Sequence, residues 1–329
     1  MCPLFCIFVK ILEMINSVRN AVLAILNKNN YGYVSPSDFN LFALNAQMEL
    51  FEDLFKDYNL AINAENLRAS GTDYADMKKA IEEVLEMFLT SKALVIKANN
   101  SFFQPSVITT GDFAYMISKI AINTSTLSSG TATSVAANEL NDSSADFVTD
   151  GIAAGDFIVN ATTFLSSTVI SVTGATELVL SSDIFTTIGN VYYIYSGSAT
   201  SIAEKVSNAD ITRLNASNLT SPTKAYPSYT MIGDAVVCYP STINTYGSVI
   251  ADYFRYPKEP KWTYSTLANG EPVFNQSQPD YQDFELPADY EYLLVAKILS
   301  YCGISIREVV ASQYGIAKEQ ANKQTFSVK

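Results

Sequence analysis

The chain predicts an α+β fold, a host domain of helices and strands carrying an inserted small all-β barrel or sandwich. Two observations carry this. Apolar residues recur at helical spacing near both ends of the chain. In contrast, from Ile120 through Glu204 there is no lysine or arginine, eight acidic residues, and an abundance of Ser, Thr, Gly and β-branched side chains. That shift places the discontinuous host in residues 1–124 and 201–329 and the insert in 125–200. A length of 329 residues suits two domains.

Residues 4–27 show helical spacing through Ile11, Ile15, Val18, Val22, Ile25 and Leu26. Lys10, Glu13 and Arg19 interrupt the apolar start too early for a signal segment, and Met14 reads as a start with residues 1–13 as an extension. Ser35-Pro36-Ser37-Asp38 then supplies an N-cap, a first-turn proline and a capping acid. The helix that follows is expected to reach about Tyr58. It carries one stripe at Leu41, Leu44, Met48, Phe51 and Phe55 and another at Phe39, Phe42, Ala46, Leu50 and Leu54. Apolar on two sides, it must be covered on two sides. A neighbouring subunit is one such cover, which makes Phe39, Phe42 and Leu50 candidate interface residues. A third helix is expected over Asp73–Thr90, with strands at Leu94–Lys97 and Phe113–Ile122.

Residues 124–141 have the composition of a linker. Insert strands are expected at Ala145–Val148, Asp156–Asn160, Thr168–Thr173, Glu177–Leu180 and Val191–Tyr195. From Asp210 the chain should be extended and proline-punctuated. A hairpin is expected from Ser228–Ile232 with Ala235–Tyr239, turning at Gly233-Asp234. The segment Tyr256-Pro-Lys-Glu-Pro-Lys-Trp262 reads as a polyproline-like arm. Its Tyr256, Pro257, Pro260 and Trp262 complete the candidate interface set. A helix over Pro287–Tyr301 is expected to stop at Gly303, with another opening at the capping box Ser305-Ile-Arg-Glu308.

Several functions are disfavoured by composition. Charged residues are 16% and the net charge is −12; this opposes general nucleic-acid binding, and a phosphate-gripping surface on the insert is physically implausible. Histidine is absent, which removes the commonest general base and metal ligand together. The cysteines at 2, 6, 238 and 302 form no zinc pattern and are expected as reduced thiols. Asp150-Gly-Ile-Ala-Ala-Gly-Asp156 lacks the alternating oxygens of a calcium loop. Asp280, Asp283, Glu285, Asp289 and Glu291 would be the carboxylates of a glycan hydrolase, although acids at a helix start are expected from the helix dipole alone. The chain therefore reads as non-enzymatic, with no catalytic, cofactor or metal residues and no membrane span. Its 20 tyrosines suit interfaces, or sugar stacking if a row of rings on the insert is exposed.

Three blocks carry a resemblance. They are Asn30–Phe51; Leu214–Thr223 with Val237-Cys-Tyr-Pro240; and Tyr256–Trp262 with Phe284-Glu-Leu-Pro287. Together they resemble virion structural proteins of podovirus-like tailed bacteriophages, the crAss-like phages in particular. The resemblance implies a ring of the head-to-tail connector or tail barrel, a cyclic and twelvefold homo-oligomer. Its partners would be the portal protein and neighbouring rings, with DNA only as passing cargo. It also implies a place in the virion after synthesis in the host cytoplasm. A receptor- or carbohydrate-binding tail component is the alternative.

Overall fold

In the computed structural model, which describes residues 14–26, 34–66, 77–305 and 317, the chain is α+β and divides into two units. One comprises 1–88 with 257–329, the other 89–256. These limits differ from the expected host and insert. Strands from 89–123 and 200–255 hydrogen-bond into one sheet, and the insert belongs with that sheet in the second unit.

The first unit is mainly helical. Helix α1 (Met14–Leu26) and α2 (Pro36–Asn66) both pack on α5 (Glu291–Ser305), and α3 (Met77–Glu86) packs on α2. Helix α2 runs beyond the expected Tyr58. Its buried residues, Phe39, Ala43, Ala46, Gln47, Leu50, Phe51 and Leu54, form one broad stripe. Leu41 is exposed, and Leu44 and Met48 are half-buried. Helix α3 stops before the expected Thr90, and Asp73 to Asp76 lie outside the described residues. Helix α5 passes through Gly303 to Ser305; most of the expected capping box lies outside the described residues. Lys297, only 5% exposed at its side chain, is neutralised by Glu49 at 2.8 Å and Asp53 at 3.3 Å, as a buried cation requires.

The second unit holds fourteen strands, beginning with β1 (Leu89–Ala93), β2 (Ile96–Ala98), β3 (Ser101–Phe103) and β4 (Ala114–Asn123). After the insert come β11 (Thr200–Lys205), β12 (Ser228–Ile232), β13 (Ala235–Tyr239) and β14 (Val249–Arg255). These form one eight-stranded sheet in the order β1-β14-β4-β11-β12-β13-β3-β2. All pairs are antiparallel except β11 with β12. The edge strands β1 and β2 are consecutive in the chain, with only Leu94 and Val95 between them. Laid flat, seven strand spacings would separate the edges by about 34 Å, whereas the link from Ala93 to Ile96 spans about 11 Å at most. The sheet therefore curls on itself. Its enclosed face is lined by Phe102, Ile120, Ile122, Tyr229, Val236, Cys238, Val249 and Tyr253.

The insert is a second closed sheet. Strands β5 (Thr126–Thr131), β6 (Glu139–Asn141), β7 (Phe157–Asn160), β8 (Ser166–Val172), β9 (Glu177–Leu180) and β10 (Val191–Tyr195) order as β5-β10-β7-β8-β9-β6. The edges β5 and β6 are stitched where Thr133 N donates to Asn141 O at 2.8 Å and Ser134 bridges Asn141. The expected linker 124–141 is thus two strands, since paired Ser and Thr satisfy a ladder as well as apolar residues do. The expected strand Ala145–Val148 is turns instead, with Phe147 turned into the core. In that core Tyr192 donates to Asp142 Oδ2 at 2.8 Å and meets Phe147 and Phe185 edge-on. A Cβ at Gly130 would lie 2.6 Å from that carboxylate and 2.7 Å from the phenol oxygen.

Other elements were absent from the expectation. Helix α4 (Asn208–Asn215), capped by Ser207, stands where an extended segment was expected. A hairpin of β15 (Tyr264–Thr266) and β16 (Pro272–Phe274) follows the arm in the first unit.

Replacing Gly130 by alanine forces a methyl group into the Asp142–Tyr192 contact; urea unfolding should show a loss of about 1–3 kcal/mol. Burial pushes the Tyr195 phenol from 10.0 up to about 12 and raises that of Tyr192 further. A raised folded-state pKa contributes stability that is intact below the unfolded value and lost above it. An alkaline titration should thus destabilise the barrel between pH 10 and about 12. Phenolate absorbance from these two rings should appear together with loss of near-ultraviolet circular dichroism, not before it.

Candidate functional site

In the first unit the arm over residues 257–262 is held against α2 by two side-chain amides, Gln47 buried and Asn40 half-buried. Gln47 is fully buried. Its Nε2 donates to Lys258 O at 2.8 Å, and its Oε1 accepts from Glu285 N at 3.2 Å. Asn40 makes a similar pair of bonds two helical turns earlier: its Oδ1 accepts from Trp262 N at 2.9 Å and its Nδ2 donates to Trp262 O at 3.3 Å. Glu285 closes the loop by accepting from Lys258 N at 2.8 Å. An extended segment has no internal hydrogen bonds, so these side chains provide the ladder that a sheet would otherwise give.

Trp262 is the apolar anchor of the arm. The guanidinium of Arg19 lies 3.8 Å from the centroid of its ring, close enough for a desolvated cation–π contact. Tyr264 and Phe274, from the β15–β16 hairpin, stack on the indole at 5.7 and 5.9 Å. The indole nitrogen donates to Asn16 Oδ1 at 3.2 Å. One tryptophan thereby links α1, the arm and the hairpin.

The expected interface residues are placed as follows. Phe39, Leu50, Pro257, Pro260 and Trp262 are buried. Phe42 is half-buried, its ring stacked on Tyr301 at 6.1 Å. Tyr256 is half-buried and edge-on to Tyr115 at 5.3 Å. Most of this set is thus already covered within one chain, and the arm's outward residues are Lys258, Glu259 and Lys261.

The carboxylate cluster is dispersed among structural roles. Asp283 accepts from Met14 N at 3.0 Å and Ile15 N at 2.8 Å, which caps the start of α1. Burial pushes its carboxyl above the usual range, against the pull of the backbone N–H groups. Asp280 pairs with Lys261 at 2.6 Å, and Glu291 accepts from Ser17 at 2.5 Å. The Asp150–Asp156 loop is turn chemistry: Gly151 and Gly155 take positive φ, and Asp156 accepts from Ala153 N and Gly197 N at 2.8 and 2.9 Å. Among the described residues no cluster of three or more potential ligands could hold a metal ion, and no helix is long and apolar enough to cross a membrane. Cys238 and Cys302 are buried thiols, each pushed up to about 12 by burial; Cys2 and Cys6 lie outside the described residues.

On the insert Tyr192 and Tyr195 are buried. Tyr195 donates to Tyr246 O, and Tyr193 stacks on the Tyr246 ring at 6.4 Å. Phe164 flanks the same ring at 6.1 Å from a left-handed backbone with φ 60°, a costly conformation for a bulky residue. Gly247 closes this seam: at φ 72° it leaves room for Val159, whose Cγ2 would lie 2.5 Å from a Cβ there. These rings fasten the insert to its neighbouring sheet, with Tyr193 and Tyr246 half-buried and Phe164 exposed.

Sequence reading missed Asn40 and Gln47. The available signal was a glutamine inside an apolar stripe, between Ala46 and Met48. Compared with known proteins, the chain matches no family model and no curated sequence.

Replacing Gln47 with alanine removes the side-chain partners of Lys258 O and Glu285 N and should cost about 1–3 kcal/mol in urea unfolding. The exposed neighbour Asn45→Ala should stay within about 0.5 kcal/mol. Tryptic cleavage after Lys258 should accelerate in the Gln47 variant and not in the Asn45 one.

Proposed function

We propose that the chain is a non-enzymatic virion structural subunit of a tailed bacteriophage, one ring of the head-to-tail connector or tail barrel. The observation that carries this reading is the clamp on the arm. The first and third blocks of resemblance, Asn30–Phe51 and Tyr256–Trp262 with Phe284–Pro287, meet in it through Asn40, Gln47, Trp262 and Glu285. Residues that set the resemblance therefore act on one another physically, as expected when a shared sequence habit reflects a shared packing unit.

The surface chemistry supports the same reading. The barrel over 125–200 has no basic side chain, and it exposes Asp146, Asp150 and Asp183. Such a surface repels a DNA backbone and lets it pass without adhesion. Portal and neighbouring rings would be the protein partners, with DNA as transit cargo. For the receptor-binding alternative the insert's tyrosines offer little, because Tyr192 and Tyr195 are buried and Tyr193, half-buried, stacks on Tyr246.

Quantitative mass spectrometry of purified particles, counting this chain against the portal protein, tests the proposal. A copy number equal to the portal's or a simple multiple of it is expected. A number matching the fibres would transfer the chain to the receptor-binding class, and absence from particles would reject a virion role.

A further inference from the structure

We propose that the loop over residues 240–248, through Tyr246 and Gly247, locks the insert at a fixed angle on the barrel of the eight-stranded sheet. Without this lock the insert would swing on the ribbon that joins the two. With it closed, both barrels of the second unit move as one body. This property belongs to the single chain, whatever assembly contains it.

The covalent connection is a poor fixture by itself. The ladder of β4 with β11 ends at Asn123 and Thr200, and that of β5 with β10 begins at Thr126 and Tyr195. Between these rungs one strand has residues 124–125 and the other 196–199, so the ribbon is bulged there. Its backbones are tied where Thr124 N donates to Ala199 O at 2.9 Å and Ser196 N to Ser125 O at 3.2 Å. A bulge bends a strand, and two strands without further neighbours are weakly held. Left to itself, this ribbon is a hinge.

The second attachment comes from a separate stretch of chain, the loop 240–248 between β13 and β14. On β7 and β10 the side chains of Ile158, Tyr192 and Ile194 belong to the insert's core, so those of Val159, Tyr193 and Tyr195 leave by the opposite face. Outward residues of a closed barrel are ordinarily solvated, yet Tyr195 is fully buried and Val159 is 2% exposed. The loop is their cover. Tyr195 donates to Tyr246 O, and Val159 lies so close under Gly247 that a Cβ there would meet it at 2.5 Å. The Tyr246 ring is flanked by Tyr193 and Phe164. On its other side the loop is tied to the large sheet, where Asn123 Nδ2 donates to Gly247 O at 3.3 Å and Asn123 N to Ser248 O at 2.8 Å. Phe164 shows how firmly the pieces meet. A bulky residue keeps φ at 60° only where its surroundings enforce it, and here Phe164 N donates to Asn160 O at 2.8 Å while the ring is set against Tyr246. Two attachments from separate segments remove the bending that one alone allows.

The test uses the full chain, with spin-labelled non-canonical residues at two exposed positions, Ser118 on the large sheet and Ser171 on the insert. Their distance distribution is read by pulsed electron resonance, and amide exchange in β8 and β14 reports whether each barrel stays folded. The parent should give one narrow distribution. Tyr246→Ala, which removes the central ring, and Gly247→Ala, which drives a methyl group into Val159, should each broaden it about twofold or more, as release of a hinge does. Exchange protection in β8 and β14 should be unchanged. Tyr226→Ala, at an 82% exposed tyrosine away from the seam, should stay as narrow as the parent. A broad distribution in the parent would overturn the inference, as would a narrow one in both seam variants. Loss of protection throughout β8 or β14 in those variants would also overturn it, because the contact would then serve the folding of a barrel and not the angle between two.

Discussion

The two-residue link between β1 and β2 is the constraint on which the second unit depends. Because the edges of an eight-stranded sheet must meet across Leu94 and Val95, the sheet cannot remain open. Curling brings Phe102 and Val236 from one half against Ile120, Val249 and Tyr253 from the other. It also leaves the edges little exposure as templates for unwanted strand pairing. The insert is accommodated at little disturbance for a related reason. It leaves the sheet after Asn123 and returns at Thr200, and these two residues are direct cross-strand partners. A chain that departs and returns at one rung of a ladder can carry a whole barrel without breaking the ladder.

Charge is used differently in the two units. In the first, Lys297 sits between Glu49 and Asp53, and Arg19 lies over Trp262. In the insert no cation is available, and its buried acids are satisfied by neutral donors. Asp142 takes the Tyr192 hydroxyl and Ser144 N, while Asp156 takes two backbone N–H groups. Hydrogen bonds to an ionised acceptor are the stronger kind, so a carboxylate can organise turns without any lysine. The basic-free composition is thus compatible with a well-fastened interior as well as with a DNA-repelling exterior.

Much of this was legible in the sequence where patterning was strong. The hairpin Ser228–Ile232 with Ala235–Tyr239 and the insert strands Glu177–Leu180 and Val191–Tyr195 have the expected bounds. The capped start at Ser35-Pro36 is also as read, with Ser35 accepting from Asp38 N at 3.2 Å. Strands made of Ser, Thr and Gly were misread as a linker, because their stability comes from pairing and not from an apolar face. Strand β14 was hidden in a proline-rich context, although Val249, Ala251 and Tyr253 alternate inward. The arm was recognised as extended, but not its attachment. Nothing local in Lys258 or Trp262 indicates that their backbone groups bind Gln47 and Asn40, more than two hundred residues away.

That separation has a consequence for the order of events during synthesis. The second unit is one continuous run, 89–256, so all its strands have been made before the arm emerges from the ribosome. The first unit is drawn from both sides of that run. Helices α1 and α2 are made first, but their covering surface, from the arm to α5, is made last. Domains generally fold as units as the chain is synthesised. The earliest-made helices therefore wait with their apolar stripes uncovered while later-made strands complete both barrels, and that interval is when chaperones have most to protect.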